Sequence, residues 1–323
     1  MEDEERLPLG GNPDWMSRLP GELLEVPLWN LALPGSHDSM SFCLDVSSPV
    51  LRSESCVLRA IDRLFPCWTR TCVSLWATTQ QSVLSDQCEL GVRFLDLRIA
   101  KKPAGGNTLF FAHGIYTLMT VKEALHELAS WLDAHPKEIV IVSCSHFESL
   151  TDEDHVHLAE FIITLFGEKL CPSRDIPTLR SCWSRGQQVV VSYSNQPMVL
   201  LHPELWPEIP YRYADSPDPM KVIAYLEDQK HKGRPAGFYV SGLNLTEDAR
   251  YVLLHPLQGM RKMTARALPP LLGWAGEQRP GREAGAVNVL CCDFVALSRF
   301  CSLVIGLNYK LRAAPDAGSS SRR

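Results

Sequence analysis

Six short apolar runs, each breaking into polar residues at its C-terminal end, constrain this chain most. They are LALPGSHD (31–38), GVRFLDLR (91–98), TLFFAHG (108–114), EIVIVSCSHFE (138–148), QQVVVSYSN (187–195) and AVNVLCCDF (286–294). YVSGLNL (239–245) is a weaker seventh. Near-continuous hydrophobic strands of this kind belong to parallel sheets covered on both faces by helices. Helical periodicity does lie between several of them. TVKEALHELASWLDAHP (120–136) places Val121, Ala124, Leu125, Leu128 and Leu132 on one face, with Thr120 as N-cap. DEDHVHLAEFIITLFGEKL (152–170) and PMKVIAYLEDQKHKG (219–233) read likewise, the latter closing on Gly233. No GxGxxG follows a strand, which argues against a dinucleotide-binding sheet. The pattern predicts one TIM-type parallel β/α barrel, complete or distorted, with its active site at the C-terminal strand ends.

Composition narrows the function classes. The chain has 323 residues, 45% of them hydrophobic and 21% charged, as expected of a globular domain with a full core. A net charge of −5 lacks the basic excess of a nucleic-acid binder, so any contact with anionic lipid must come from a local patch. The start, MEDEERLPLGGNPDW, has no basic and apolar regions of a signal peptide, and no apolar run approaches a spanning helix. Eleven cysteines without a CxxC pair indicate reduced thiols and no structural zinc. A cytoplasmic protein is expected.

Three segments stand outside the strand–helix alternation. Residues 49–77 mix Leu58, Ile61, Leu64, Phe65, Trp68 and Trp76 with Arg52, Arg59, Arg63 and Arg70. They read either as an interfacial lid for peripheral membrane contact or as a helical excursion packed on the barrel. GWAGEQRPGREAG (273–285) reads as a charged, Gly-rich loop on the face away from the site. Residues 1–29 form a lead-in, and the tail 313–323 reads as disordered.

The chemistry-bearing residues gather at strand ends. His37 follows a Pro-Gly break, and His113 precedes Gly114 after an apolar strand. In GVRFLDLRI, strand parity sets Val92, Phe94, Asp96 and Arg98 on one face and Leu95, Leu97 and Ile99 on the other. The aliphatic face must pack on helices, which leaves Asp96 and Arg98 inside the barrel near its mouth. The first and last strands of a closed barrel are neighbours, so Asp293 can orient His37. Two imidazoles, the carboxylates Asp38 and Asp96, and a guanidinium are the parts needed to cleave a phosphodiester by general acid–base catalysis.

PGSHDS, GVRFLDLRI, AHG and EIVIVSCSHFE, in that order and spacing, resemble the X-box of phosphatidylinositol-specific phospholipase C. The likeness spans residues 30–206, with 207–312 as the rest of the same barrel. The lead-in WMSRLPGELLEVPLWN and the chain length look like the small members that consist of an X domain alone. The resemblance implies His37 as general base toward an inositol 2-hydroxyl and His113 as general acid toward the diacylglycerol oxygen. It implies Asp38 as partner of the acid and the arginine, and Asp293 as the orienting carboxylate. Arg98 stands where the multidomain eukaryotic enzymes have a calcium-binding aspartate, and Ser145 where they have a glutamate ligand. The bacterial enzymes carry His-Asp and arginine at these places and need no metal. No metal and no cofactor, calcium included, is therefore expected, with a phospholipid, phosphatidylinositol by this likeness, as the substrate.

Glu148, Tyr193 and Trp206 are candidates to line the head-group pocket. Two other readings remain open from the residues. One is a metal-dependent glycerophosphodiesterase-like enzyme, against which stands the lack of an HRG motif and of clustered glutamates. The other is a catalytically silent phosphoinositide-binding barrel, which would have no need of an acid and a base.

Overall fold

The computed structural model describes residues 11–103, 105–248, 251, 252, 255 and 257–313. The tail expected to be disordered lies, but for its first residue, outside them. Among the described residues ten strands are present: β1 (Leu33–Ser36), β2 (Phe94–Lys101), β3 (Leu109–His113), β4 (Ile115–Thr120), β5 (Val140–Glu148), β6 (Val189–Tyr193), β7 (Leu205–Trp206), β8 (Tyr211–Arg212), β9 (Val240–Gly242) and β10 (Val289–Cys292). Eight run parallel in the order β7-β6-β5-β2-β1-β10-β9-β8. The fold is α/β, a curled parallel sheet that closes on itself except between β7 and β8. The segment leading from β7 to β8 is tied back to β6: Ile209 N donates to Ser192 Oγ (3.2 Å), which donates to Pro207 O (3.2 Å).

β3 and β4 depart from the sequence expectation. They are an antiparallel hairpin that extends β2 beyond the barrel, not barrel strands. Only seven residues, 102–108, separate β2 from β3, and a parallel crossover needs a dozen or more. Gly114 makes the tight turn at φ +69°, where a Cβ would stand 2.6 Å from Val73 Cγ1.

The helices are α1 (Cys56–Leu64), α2 (Pro66–Ala77), α3 (Leu84–Leu90), α4 (Val121–Ala134), α5 (Asp152–Phe166), α6 (Leu179–Arg185), α7 (Gln196–Leu201), α8 (Pro219–His231), α9 (Gly259–Glu277) and α10 (Phe300–Leu307). Thr120 caps α4 with a capping box: Glu123 N donates to Thr120 Oγ1 (3.2 Å) and Thr120 N to Glu123 Oε2 (2.8 Å). Thr151 and Asp154 repeat the device on α5. The segment expected to be a loop over 273–285 is corrected in its first half, since α9 runs to Glu277 and irregular chain begins at Gln278.

Two apolar layers follow from strand parity. Leu95, Leu97, Ile99, Val140, Val142, Val189 and Val191 face the helices in the outer layer. Phe94, Ile141, Val190, Val240, Val289 and Cys291 face inward, with Trp15, Met16, Leu19, Leu23 and Leu28 of the lead-in packed against them. Val92 departs from the parity reading and joins the outer layer, because β2 begins only at Phe94. Gly35 makes room inside: a Cβ there would lie 2.9 Å from Val289 Cγ1 and 3.1 Å from Phe94 Cδ1.

At the N-terminal end, Arg93 and Glu138 form a fully buried ion pair at 2.6 Å. The guanidinium also donates to Cys88 O, Val92 O and Pro13 O, and lies over the rings of Trp15 and Trp131. All eleven cysteines are free thiols. Among the described residues no helix is long and apolar enough to cross a membrane.

Candidate active site

Register builds the site one rung above the apolar interior. Gly35 pairs with Phe94 and with Cys291, so the next inward-facing rung brings together His37, Asp96 and Asp293. β5 and β6 add Ser143 and Ser192 at the same level. Polar groups thus form the top layer of a barrel whose lower layers are apolar. Asp38 follows at φ +43°, a region that Asp tolerates better than most residues. Its amide donates to Asp96 Oδ2 (3.1 Å), and Ser39 N donates to Asp96 O (2.8 Å).

His37 is held at both nitrogens. Its Nδ1 lies 2.7 Å from Asp293 Oδ1, and its Nε2 lies 2.7 Å from Arg98 Nη2. The guanidinium has only donors, so Nε2 accepts and the neutral ring carries its proton on Nδ1. Burial opposes charging of this ring, and Arg98 does too. Asp293, by charge and hydrogen bond, outweighs them and raises the His37 pKa above 6.5.

Arg98 Nε stands 3.5 Å from Asp96 Oδ2 and 3.7 Å from Asp38 Oδ2. Burial works against a charged Asp96, but Arg98 and then His37 hold its carboxyl below the usual range. Asp38 behaves otherwise: burial pushes its pKa up to about 7, against the pull of Arg98. Arg98 itself is held firmly protonated, the two carboxylates overcoming its burial.

His113 meets His37 edge to face, with ring centroids 6.2 Å apart. Its Nδ1 donates to Ala77 O (2.7 Å) and stands 3.0 Å from Asp38 Oδ2. Burial, then the charges of Arg98 and His37, lower the His113 pKa to about 3. The end of α2 and the residues after it therefore fix both histidines: Ala77 O takes His113, while Thr79 Oγ1 and Gln80 Nε2 each donate to His37 O at 3.0 Å. Nothing in the sequence marked this role for residues 77–80.

The structure brings His37, Asp38, Asp96, Arg98, His113 and Asp293 together. His37, Asp96, Arg98 and His113 line a cavity of about 330 Å³ together with Glu208, Tyr211, Asn244 and Glu247, the Tyr211 ring lying 6.2 Å from that of His37. Asp38 Oδ2, Arg98 Nε and Asp293 Oδ2 are buried and have no hydrogen-bond partner within the protein. Two pocket candidates are corrected. Tyr193 faces the helices, its hydroxyl 2.9 Å from His155 Nδ1. Trp206 packs on Trp29 and Phe238 of the lower interior, and its Nε1 donates to Cys171 O (2.7 Å). Glu148 lines a neighbouring cavity of about 150 Å³ that shares Arg98, His113 and His146 with the first. The strand QQVVVSYSN could have exposed the first error, since Val189, Val191 and Tyr193 share one face.

Arg98 also bears on metal binding. A hard cation needs several oxygens, and the Asp38 and Asp96 carboxylates already face this fixed positive charge. Among the described residues no group of three or more His, Cys, Asp or Glu is arranged to hold a metal ion.

No family model matches the chain. Individual relatives do. It is 49% identical to PI-PLC X domain-containing protein 1 of Danio rerio over 298 residues, 91% of this chain and 96% of that protein. Identity to the human protein of the same name is 44%, with 93% of each chain covered. PI-PLC X domain-containing protein 3 of Danio rerio is 40% identical over 92% of this chain and 94% of its own. Among solved structures, the phosphatidylinositol-specific phospholipase C of Listeria monocytogenes superposes with a TM-score of 0.63 at 19% identity, covering 92% of this chain and 98% of its own. A point mutant of the Staphylococcus aureus enzyme gives the same TM-score of 0.63 at 17% identity, covering 93% and 98%. These likenesses at low identity concern the barrel. With relatives matched over nearly their whole length, this chain belongs to the family of PI-PLC X domain-containing proteins.

Proposed function

We propose that this chain is a phospholipase C-type phosphodiesterase that cleaves phosphoinositide-type lipids without a metal ion, through a cyclic inositol phosphate. The observation that carries the reading is the edge-to-face pair of imidazoles, each anchored through Nδ1, with Arg98 on the Nε2 of His37. An anionic phosphodiester competes with the neutral His37 ring for the guanidinium protons, which frees Nε2 as a base. His37 then takes the proton of the inositol 2-hydroxyl as its oxygen attacks phosphorus, and the bond to the diacylglycerol oxygen breaks. His113 supplies the proton to that leaving oxygen. With a pKa near 3 and its Nδ1–H held by Ala77 O, the ring is neutral at rest, so it takes its acid proton on Nε2 from solvent as the substrate binds, and the Asp38 carboxylate 3.0 Å from Nδ1 supports the imidazolium charge. Phosphate bound at Arg98 offsets the charge that disfavours the imidazolium and lets the proton pass to the ring.

Phosphorus NMR of a phosphatidylinositol digest, run with and without EGTA, tests this. A cyclic phosphodiester appears before any acyclic phosphate, at a rate the chelator leaves unchanged. Activity lost in EGTA and restored by calcium would instead support the metal-dependent reading. Head-group binding without turnover would support the silent barrel.

Membrane contact belongs to the same proposal. α1 and α2 expose Val57, Leu64, Phe65 and Trp68, the last two at 63% and 57%, beside Arg59 and Arg63. An apolar ridge flanked by cations suits the surface of an anionic bilayer. A Phe65→Ser/Trp68→Ser protein is expected to bind phosphatidylinositol vesicles at least tenfold more weakly, given roughly 1.5–3 kcal/mol per buried side chain. Cleavage of a soluble, short-chain substrate by the same variant stays at the level of the parent. Unchanged vesicle binding in a sedimentation assay removes this part of the proposal.

A further inference from the structure

β5 does not keep its alternation. Arg98 pairs with Ser145, but Ala100 pairs with Glu148, so one extra residue is inserted into β5 between them. His146 occupies the bulge at φ +48°, a left-handed conformation that costs strain in any residue but glycine. Strict parity would turn Ser143, Ser145 and Phe147 inward and His146 outward. Instead Ser145 and His146 both face the cavity, while Phe147 packs outside on His155 and Tyr193, with ring centroids 4.6 and 4.9 Å away. The strain thus delivers an imidazole to the junction of the two cavities, beside Arg98 and His113.

The charge on Asp96 favours one tautomer of this ring. Ser145 Oγ donates its single proton to Asp96 Oδ1 (3.4 Å) and stands 2.9 Å from His146 Nδ1. With the hydroxyl proton on the charged Asp96 carboxylate, Nδ1 is the donor to Ser145 and Nε2 keeps a bare lone pair. Burial, then Arg98, lowers the pKa of this ring and keeps it neutral. A neutral acceptor is useless to a phosphoryl oxygen but complementary to a hydroxyl.

We propose that His146 contacts the substrate, its Nε2 accepting a hydrogen bond from a free hydroxyl of the head group next to the scissile phosphate. The inference rests on the phosphodiesterase reading above and adds a specificity-determining residue to it. A head group without that hydroxyl forfeits the contact and is discriminated against.

The test pairs the protein with its substrate. Wild type, His146→Ala and His146→Asn are compared on phosphatidylinositol and on analogues each lacking one ring hydroxyl. Asn tolerates the left-handed bulge but is too short to reach, so its Tm should match that of wild type. Both substitutions are expected to lower kcat/KM about tenfold on the intact lipid. On one analogue wild type has already lost that factor, and the substitutions remove nothing more. An equal loss on every analogue, or no loss on the intact lipid, overturns the contact. If wild type cleaves none of these lipids, the phosphodiesterase reading falls by itself. The contact is then decided by calorimetric binding of glycerophosphoinositol: about tenfold weaker binding to His146→Ala retains it, and equal binding or no binding by wild type overturns it.

Discussion

His37→Ala is expected to lower kcat on phosphatidylinositol micelles by roughly a thousandfold or more, the scale of losing a positioned general base. The companion variant is Asp293→Asn, which keeps an acceptor for Nδ1 and removes only the charge. Asp293 is what raises the His37 pKa, so its neutralisation lowers that pKa. The base must be unprotonated, and activity therefore rises with pH through the His37 pKa. In Asp293→Asn the rise moves to lower pH, and the plateau falls because the base is weaker. A His37→Ala protein with more than a tenth of the wild-type rate would remove His37 from the mechanism. A pH limb that stays in place, or moves to higher pH, would remove the electrostatic role of Asp293.

Arg93→Ala is expected to have the largest effect on stability. It strands the fully buried Glu138 carboxylate, which otherwise accepts from Arg93 Nε and Nη2 at 3.0 and 2.6 Å. Breaking a buried pair from one side costs about 3–5 kcal/mol, because the remaining charge cannot reach water. For a chain of this size that corresponds to a fall in Tm on the order of 5–10 °C. Arg93→Lys recovers little, since one ammonium cannot reproduce the forked contacts to Glu138, Cys88 O and Pro13 O. Arg93 lies at the end of the barrel opposite the histidines, so the specific activity of the protein that remains folded at 20 °C should be that of wild type. Thermal melts with Tm values within 2 °C would show that the pair carries no such weight.

Arg93 and Arg98 show how far one segment can be read. In GVRFLDLRI the parity of Asp96 and Arg98 was legible, because three aliphatic residues of the opposite parity left only one way to face the helices. Arg93 carried no such signal: its partner lies 45 residues away, and the strand begins one residue after it. Asp293 was legible for a topological reason. β1 and β10 are neighbours, and residues one past each strand end share a rung. His113 was identified correctly as a residue at the site but for the wrong architecture, since it arrives on an antiparallel hairpin. The short connection of 102–108 was the overlooked clue.

The pocket wall was far less legible. Tyr193 follows the outward parity of Val189 and Val191, and Trp206 belongs to the lower interior. Glu148 and His146 owe their positions to a bulge, which shifts the register of every residue after it. No pattern of hydrophobicity announces such an insertion. Tyr211, Asn244 and Glu247 come from short strands and turns, where two or three paired residues give no periodicity to detect.

By itself, the sequence determined the layers: apolar runs long enough to be covered on both sides, helices with capped starts, and polar strand ends on one rim. Those features depend on side-chain chemistry repeating at a local period, and local periods survive in a single sequence. Only the tertiary structure decided which polar groups touch. Arg98 on the Nε2 of His37, Ala77 O on His113 and the inward turn of His146 each depend on register between segments far apart in the chain. Register is set by the packing of the whole barrel, where a shift of one residue changes which face a side chain occupies.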